Sequence, residues 1–250
     1  MTKSASVLGV IPARLGSERL ARKPLQLLGG KPLIEVVWRR VAAFNAVDSL
    51  IVATDAEEIA DVCRKAGAVV EMTSTEHRSG TERVAEVAER HPDYGVVVNI
   101  QGDEPFVADE HIRASAALVL SGWDIGTPAA PIQTLEAWRD PAAVKVVRGD
   151  DGRALYFSRS PIPHQRDGDP TAEQLNSSQF LRHIGVYAYA RDALLRYVRL
   201  PETQLERTEK LEQLRALSAG MRIGVAIASE GAVGIDTPAD LAHAEALLRR

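Results

Sequence analysis

Four cations stand within ten residues near the start of the chain: Arg14, Arg19, Arg22 and Lys23. They lie in Ala13-Arg14-Leu15-Gly16-Ser17-Glu18-Arg19-Leu20-Ala21-Arg22-Lys23-Pro24, directly after an apolar run, Val7–Pro12. Cations gathered after a first parallel strand suit a polyphosphate, whose charge they neutralise through charge-assisted hydrogen bonds. A solvated basic loop is the plainer reading. Ser79-Gly80-Thr81-Glu82-Arg83 is a small-residue turn at a helix start. Its free N–H groups suit a base or phosphate, with Ser79 as a further partner, or Ser79 is simply an N-cap boxed with Glu82. Asn99-Ile100-Gln101-Gly102-Asp103-Glu104-Pro105 puts two carboxylates beside a glycine at a strand end. That suits a Mg²⁺–phosphate complex, for which Asp103 alone is a sufficient protein anchor; an acidic turn is the alternative. Asp236-Thr237-Pro238 reads first as a helix start, with Asp or Thr as the cap and proline in the first turn.

Other polar groups are patterned less sharply. His183, Gly185 and Tyr187 alternate, so a strand there turns them to one side, to read sugar hydroxyls or to line a core. Glu206, Glu209 and Gln213 fall near one face of a helix predicted over Glu202–Ala219, with Glu212 beside them. Asp167-Gly168-Asp169 matches a metal-binding Asp-x-Asp but sits in a polar Pro/Gly loop, 164–178. Two familiar nucleotide motifs are excluded: there is no G-x-x-x-x-G-K-[ST], and no two glycines are separated by one residue. One cysteine, Cys63, and six scattered histidines without HxxxH spacing give neither an intrachain disulfide nor a zinc site.

These residues need a scaffold. Val7–Pro12, Leu50–Ala53, Ala68–Met72 and Val96–Ile100 are short, apolar and mostly β-branched, as strands buried on both faces should be. Helices are predicted between them: from Pro32 to about Asn45, after Asp55 with Glu58 completing a capping box, and after Ser79. Such alternation implies a mostly parallel sheet with helices on both faces, where ligands bind beyond the carboxyl ends of the strands. From Ile125 to about Tyr189 the signals turn β-like and turn-rich, and the tail returns to helix, strand (Ile223–Ile227) and a last helix. The expected organisation is one α/β domain over 1–250 with a partly antiparallel subdomain inserted at about 125–190.

Bulk properties agree. The chain has 250 residues, 45% hydrophobic and 26% charged, with a net charge of −4, which disfavours a general nucleic-acid or membrane-surface binder. The apolar start, Val7 to Ala13, is too short for a signal-peptide core, so a cytosolic location is expected.

The order of the motifs is more telling than any one of them. Ile11-Pro12-Ala13-Arg14, Lys23-Pro24-Leu25, Gly30-Lys31-Pro32-Leu33, His77–Arg83, Val98–Pro105, Ala143–Val147, Ala154–Arg159, Arg182–Tyr187, Leu211–Leu214 and Gly234–Pro238 follow in register. Over essentially the whole chain this resembles the 3-deoxy-manno-octulosonate (Kdo) cytidylyltransferases. The resemblance implies a Rossmann-like α/β fold of the nucleotide-diphospho-sugar transferase type with a dimerisation subdomain, a homodimer, the substrates CTP and Kdo, and Mg²⁺. It implies that Arg14 and Lys23 hold the triphosphate, that Ser79, Thr81 and Gln101 surround the cytidine, and that Asp103 and Asp236 share the metal. Arg159, His183, Tyr187, Glu212 and Gln213 would face the sugar. Cytidylyltransferases for 8-amino-Kdo or a sialic acid, a glycosyltransferase of the same fold and a nucleotide sensor are the competing readings. The first loop departs from the family pattern: Glu18 stands where the family has threonine, and Ala21-Arg22 where it has Pro-Gly, which should loosen or reshape the turn.

Overall fold

The computed structural model describes residues 6–16, 20–231 and 234–248. The chain divides into two compact units, 1–112 with 232–250, and 113–231. Glu18 and Arg19 lie outside the described residues.

The first unit is built on β1 (Val7–Ala13), in which all residues but Val7 and Pro12 are buried. A hairpin follows, β2 (Leu27–Leu28) with β3 (Lys31–Pro32), and leads into α1 (Leu33–Phe44). Then come β4 (Ser49–Thr54), α2 (Glu57–Ala66), β5 (Val69–Met72), α3 (Gly80–Arg90), β6 (Val96–Asn99) and α4 (Asp109–Leu120), the last crossing into the second unit. β5, β4, β1 and β6 are neighbours in that order, and each pairing is parallel. Two glycines reveal the layers. A Cβ on Gly102 would meet Ile34 of α1 and Ile11, whereas a Cβ on Gly80 of α3 would meet Pro12. Ile11 and Pro12 point to opposite faces of β1, so α1 and α3 cover opposite faces of the sheet. This is the parallel, doubly covered sheet that the near-continuous apolar strands predict, except at β5, whose apolar run implies burial on both faces but which lies at the sheet edge with no residue buried.

Helix ends follow local chemistry with one correction. Asn45 ends α1 in the left-handed conformation, and Gly67 (φ 100°) ends α2 while its N–H bonds the carbonyls of Cys63 and Arg64. The capping box expected of Asp55 and Glu58 does not form: the N-cap of α2 is Ala56, which gives no side-chain cap. Asp55 is drawn away by Arg83, and Glu58 pairs with Arg22. Cys63 is fully buried, and burial followed by the charge of Glu35 pushes its thiol pKa up to about 11.

The second unit continues with β7 (Ile125–Pro131), α5 (Leu135–Arg139), β8 (Lys145–Arg148), β9 (Ala154–Ser158), α6 (Ala172–Leu175), β10 (Leu181–His183), β11 (Tyr187–Ala190), α7 (Arg191–Tyr197), α8 (Gln204–Glu209), α9 (Gln213–Ser218) and β12 (Ile223–Ile227). β7 pairs antiparallel with β10 and β11 and parallel with β12, and β8 bridges β10 to β9. The single strand expected over His183–Tyr189 is interrupted. His183 faces Ala129 and Ala188 faces Gly126, so five positions on one strand span three on the other, with the extra residues bulged at 184–186. The helix predicted over Glu202–Ala219 is likewise two, broken where Lys210 turns left-handed (φ 54°). Glu206, Glu209 and Gln213 therefore do not share one helical face. The chain closes in the first unit with α10 (Pro238–Leu248). Among the described residues no helix is long and apolar enough to cross a membrane.

Close packing at Gly126 is the tightest in the second unit: a Cβ there would lie 2.2 Å from the Ser115 carbonyl oxygen and 2.8 Å from Leu118 Cβ. Backbone cannot yield as a side chain does, so Gly126→Ala should destabilise the protein by about 3 kcal/mol, at the upper end of overpacking costs. The fall in urea midpoint measures it; an unchanged midpoint would contradict this packing.

Candidate active site

The first unit concentrates charge at the carboxyl ends of β1 and β6. Arg14 follows β1 and is exposed, with no ion-pair partner among the described residues. Lys23 opens a short 3₁₀ turn, Lys23–Leu25. Its ammonium donates to Asp103 Oδ2 at 2.5 Å, to Asp236 Oδ1 at 2.8 Å and to the Ile235 carbonyl at 3.0 Å. Three N–H donors thus meet three acceptors. The Ile235 N–H bonds the Asp103 carbonyl at 2.9 Å, tying the last segment to the end of β6. Burial pushes the Lys23 pKa down, but Asp103 and Asp236 outweigh it and hold the ammonium above its ordinary value. Lys23 is charged at any physiological pH.

Asp236 is released from capping by its neighbours. The Asp240 N–H donates to Thr237 Oγ1 at 3.2 Å, and the Thr237 N–H donates back to Asp240 Oδ2 at 2.8 Å. Thr237 is therefore the cap of α10 in a reciprocal box. Asp103 and Asp236 then converge on one point where a cation, here the ammonium, already sits. Their hard oxygens suit Mg²⁺, which takes one or two carboxylates and completes its shell with phosphates and waters.

The first loop keeps its turn in an unexpected way. Arg22 itself adopts the left-handed conformation (φ 53°, ψ 36°) at the position where the family pattern has glycine. The Leu25 N–H bonds its carbonyl at 2.9 Å, and Gln26 Nε2 donates to the Ala21 carbonyl at 2.7 Å. The guanidinium pairs with Glu58.

Ser79 is the N-cap of α3, accepting the Glu82 N–H at 3.3 Å. Glu82 does not close the box as expected; it takes the Arg78 N–H at 2.8 Å and the Arg78 guanidinium. Thr81 is buried, and Gln101 is half-buried beside Gly102 at the end of β6. Gly102 is needed there, since a Cβ would come within 3.0 Å of the Pro12 carbonyl. Sequence reasoning missed Arg83, which is fully buried and pairs with Asp55 at 2.6 Å while also bonding Thr73 and the Ser74 carbonyl. It locks the first turn of α3 to the end of β4. A buried arginine inside a helix of ordinary polarity gives no sequence signal.

The second unit, taken by itself, carries the other candidates. His183 Nε2 lies 2.9 Å from Thr127 Oγ1, whose hydroxyl lies 2.8 Å from the Val186 carbonyl. Thr127 has one proton and donates it to that carbonyl, so His183 donates through Nε2 and keeps Nδ1 as an acceptor. Burial, then the nearby Arg182 charge, pushes the His183 pKa down to about 3, which fixes the ring neutral. Its ring packs 5.1 Å from Tyr187 and 5.2 Å from Phe157. Arg159 donates to the carbonyls of Glu209 (2.8 Å), Pro141 (3.0 Å) and Lys210 (3.4 Å). Glu212 is exposed at the start of α9, with its carbonyl held by the Tyr197 hydroxyl at 2.9 Å, and Gln213 is buried. A buried pair, Glu206 with Arg215 (2.9 and 2.5 Å), joins α8 to α9. Asp169 of the Asp-x-Asp pairs with Arg139. Among the described residues no cluster of three or more His, Cys, Asp or Glu has metal-holding geometry.

A left-handed arginine costs about 1–2 kcal/mol that glycine avoids, and an exposed pair such as Arg22–Glu58 is worth less than that. Arg22→Gly should therefore raise the unfolding free energy by about 0.5–1 kcal/mol, the remainder being lost to glycine's freer unfolded chain. Chemical denaturation checks this; a loss of stability would contradict the strain.

Comparison with known proteins places this arrangement. Residues 8–223 match the sequence model of the cytidylyltransferase family. The 3-deoxy-manno-octulosonate cytidylyltransferase of Gemmatimonas aurantiaca is 47% identical over 95% of this chain and 92% of its own. That of Syntrophotalea carbinolica is 45% identical over 98% of this chain and 99% of its own. A solved structure of CMP:2-keto-3-deoxy-manno-octonic acid synthetase complexed with CTP is 37% identical, with a TM-score of 0.88 over 98% of this chain and 99% of that one. The 4-diphosphocytidyl-2C-methyl-D-erythritol synthase of Anaerococcus prevotii, 15% identical with a TM-score of 0.65, shares the fold alone. With its motifs in register along nearly its full length, the chain belongs to the cytidylyltransferase family, among the 3-deoxy-manno-octulosonate cytidylyltransferases.

Proposed function

We propose that the chain transfers CMP from CTP to Kdo, releasing pyrophosphate, and that it does so with Mg²⁺. The observation that carries this reading is the meeting of Lys23, Asp103 and Asp236 at the carboxyl ends of β1 and β6. In the reaction the anomeric 2-hydroxyl of Kdo attacks the α-phosphorus of CTP. A new P–O bond forms, the bond to the bridging α–β oxygen breaks, and that oxygen leaves on pyrophosphate while the hydroxyl proton passes to solvent. Phosphoryl and nucleotidyl transfer ask little covalent chemistry of a protein; positioning and charge neutralisation dominate.

Lys23 and exposed Arg14 supply fixed positive charge toward the triphosphate. Asp103 and Asp236 would hold Mg²⁺, which when bound neutralises phosphate charge and makes an adjacent hydroxyl more acidic. Ser79, Thr81 and Gln101 are proposed to read the cytidine. In the second unit, Arg159, His183, Tyr187, Glu212 and Gln213 are proposed to face the sugar. His183, neutral with Nδ1 as an acceptor, would take a hydrogen bond from a sugar hydroxyl. A homodimer acting in the cytosol belongs to the same reading, and light scattering of the purified chain tests the first part.

Pyrophosphate release from CTP and Mg²⁺ with Kdo, 8-amino-Kdo and N-acetylneuraminate as separate acceptors tests the function. Release should appear with Kdo and be absent without acceptor; release with N-acetylneuraminate alone would overturn the sugar assignment. Asp103→Asn should lower kcat by about 10²-fold or more with CTP binding changed far less. Near-normal turnover would remove Asp103 from the metal site.

A further inference from the structure

The motif Ala143–Val147 lies outside the groups assigned above, yet it contains the most unusual side chain of the second unit. Lys145 on β8 is fully buried, and among the described residues it has no carboxylate within ion-pair distance. Its ammonium donates instead to three main-chain carbonyls: Asp140 at 2.8 Å, Ala143 at 2.5 Å and Arg159 at 2.6 Å. An ammonium has three protons, and all three are engaged, so Lys145 has no donor left for a substrate.

The third of those carbonyls leads to a second clamp. The Arg159 N–H donates to Glu209 Oε2 at 3.0 Å, and Ser158 Oγ donates to Glu209 Oε1 at 2.6 Å. The Arg159 guanidinium returns to the Glu209 carbonyl and reaches the Lys210 carbonyl. Arg159 is therefore held at its carbonyl by Lys145, at its N–H by Glu209, and at its guanidinium by the chain leaving α8. Glu209 and Lys210 form the corner that turns left-handed and delivers Glu212 and Gln213. Without those ties the end of β9 would have unpaired main-chain groups, and the corner would rest on the Tyr197–Glu212 bond and the Glu206–Arg215 pair.

We infer that Lys145 and Glu209 are positioning residues for the acceptor sugar: they fix Arg159 and the corner bearing Glu212 and Gln213 without themselves meeting substrate. The inference rests on the reading that those three residues face the sugar. Burial pushes the Lys145 pKa down, with the charges of Arg159 and Arg182 adding to it against Asp140 and Glu209. The ammonium persists because its carbonyl cage is complete, as a buried charge requires.

Glu209→Met keeps the length and removes both acceptors, from the Arg159 N–H and from the Ser158 hydroxyl. Lys145→Met keeps the length and removes all three. Steady-state kinetics with CTP and Kdo, together with hydrogen exchange of the full chain, tests the proposal. Each folded variant should raise the KM for Kdo about ten-fold, as displaced positioning groups do, with the KM for CTP and kcat within about two-fold. Exchange should quicken over 209–215 and stay unchanged over 80–100. A folded Glu209→Met protein with an unchanged KM for Kdo and unchanged exchange at 209–215 would overturn the proposal, as would equal rises in both KM values. If Lys145→Met does not fold, Glu209→Met decides alone. If the unaltered chain does not use Kdo, the sugar assignment has failed, and the exchange arm still decides whether the clamp holds the corner.

Discussion

A half-buried ammonium with only carboxylates and a carbonyl for company organises the first unit. Lys23 joins segments 80 and 213 residues away in sequence, and each must arrive within hydrogen-bond distance of one nitrogen. The cost of burying that charge unpaired is what makes the arrangement specific. The fold meets it by ending β6 at Asn99, four residues before Asp103, by bonding the Ile235 N–H to the Asp103 carbonyl, and by giving the capping of α10 to Thr237 while the Asp236 carboxylate turns to Lys23. Arg22, directly before Lys23, takes a left-handed backbone at the start of the turn that carries it. Two carboxylates and one ammonium leave a net negative centre beside a basic loop. A metal–triphosphate complex, with both positive and negative parts, complements both.

The second unit handles charge by another means. Lys145 and Arg159 are satisfied mostly by main-chain carbonyls rather than by acids, and a buried ion pair, Glu206–Arg215, is bidentate. Carbonyl cages bind a cation without committing a carboxylate. They also convert each cation into a staple between strand ends and helix corners. Glu212, at the head of α9, is exposed, and His183, held neutral by burial and the Arg182 charge, keeps one ring nitrogen as an acceptor.

Much of this was legible in the residues. Three of the four parallel strands of the first unit, β1, β4 and β6, are nearly continuous apolar runs that are mostly buried, whereas β5, also largely apolar by type, lies at the sheet edge with no residue buried; α1 ends at Asn45 as its pattern implied. The site motifs could be found because each combines a special residue type with a strand or helix end. What could not be read was competition between partners at a distance. Asp55 offered a local cap, but buried Arg83 offered a stronger charge-assisted bond. Glu202–Ala219 has helical composition throughout, yet Lys210 breaks it so that Glu209 can reach Ser158 and Arg159, some fifty residues earlier. Asp236 and Thr237 are equally good caps by type, and only the Asp240 box separates them. Lys145 sits in an apolar strand and has no sequence feature that marks it as caged.

The claim on which the account turns is that one cationic side chain between two carboxylates is the working centre. Single-turnover pyrophosphate release by Lys23→Met, with CTP binding followed by calorimetry on the same sample, tests it most directly. The account predicts that release falls by about 10²-fold or more, as when a preorganised charge is removed from a reacting group, with CTP bound more weakly and the fold intact by circular dichroism. Release at the rate of the unaltered chain by a folded Lys23→Met protein would contradict it.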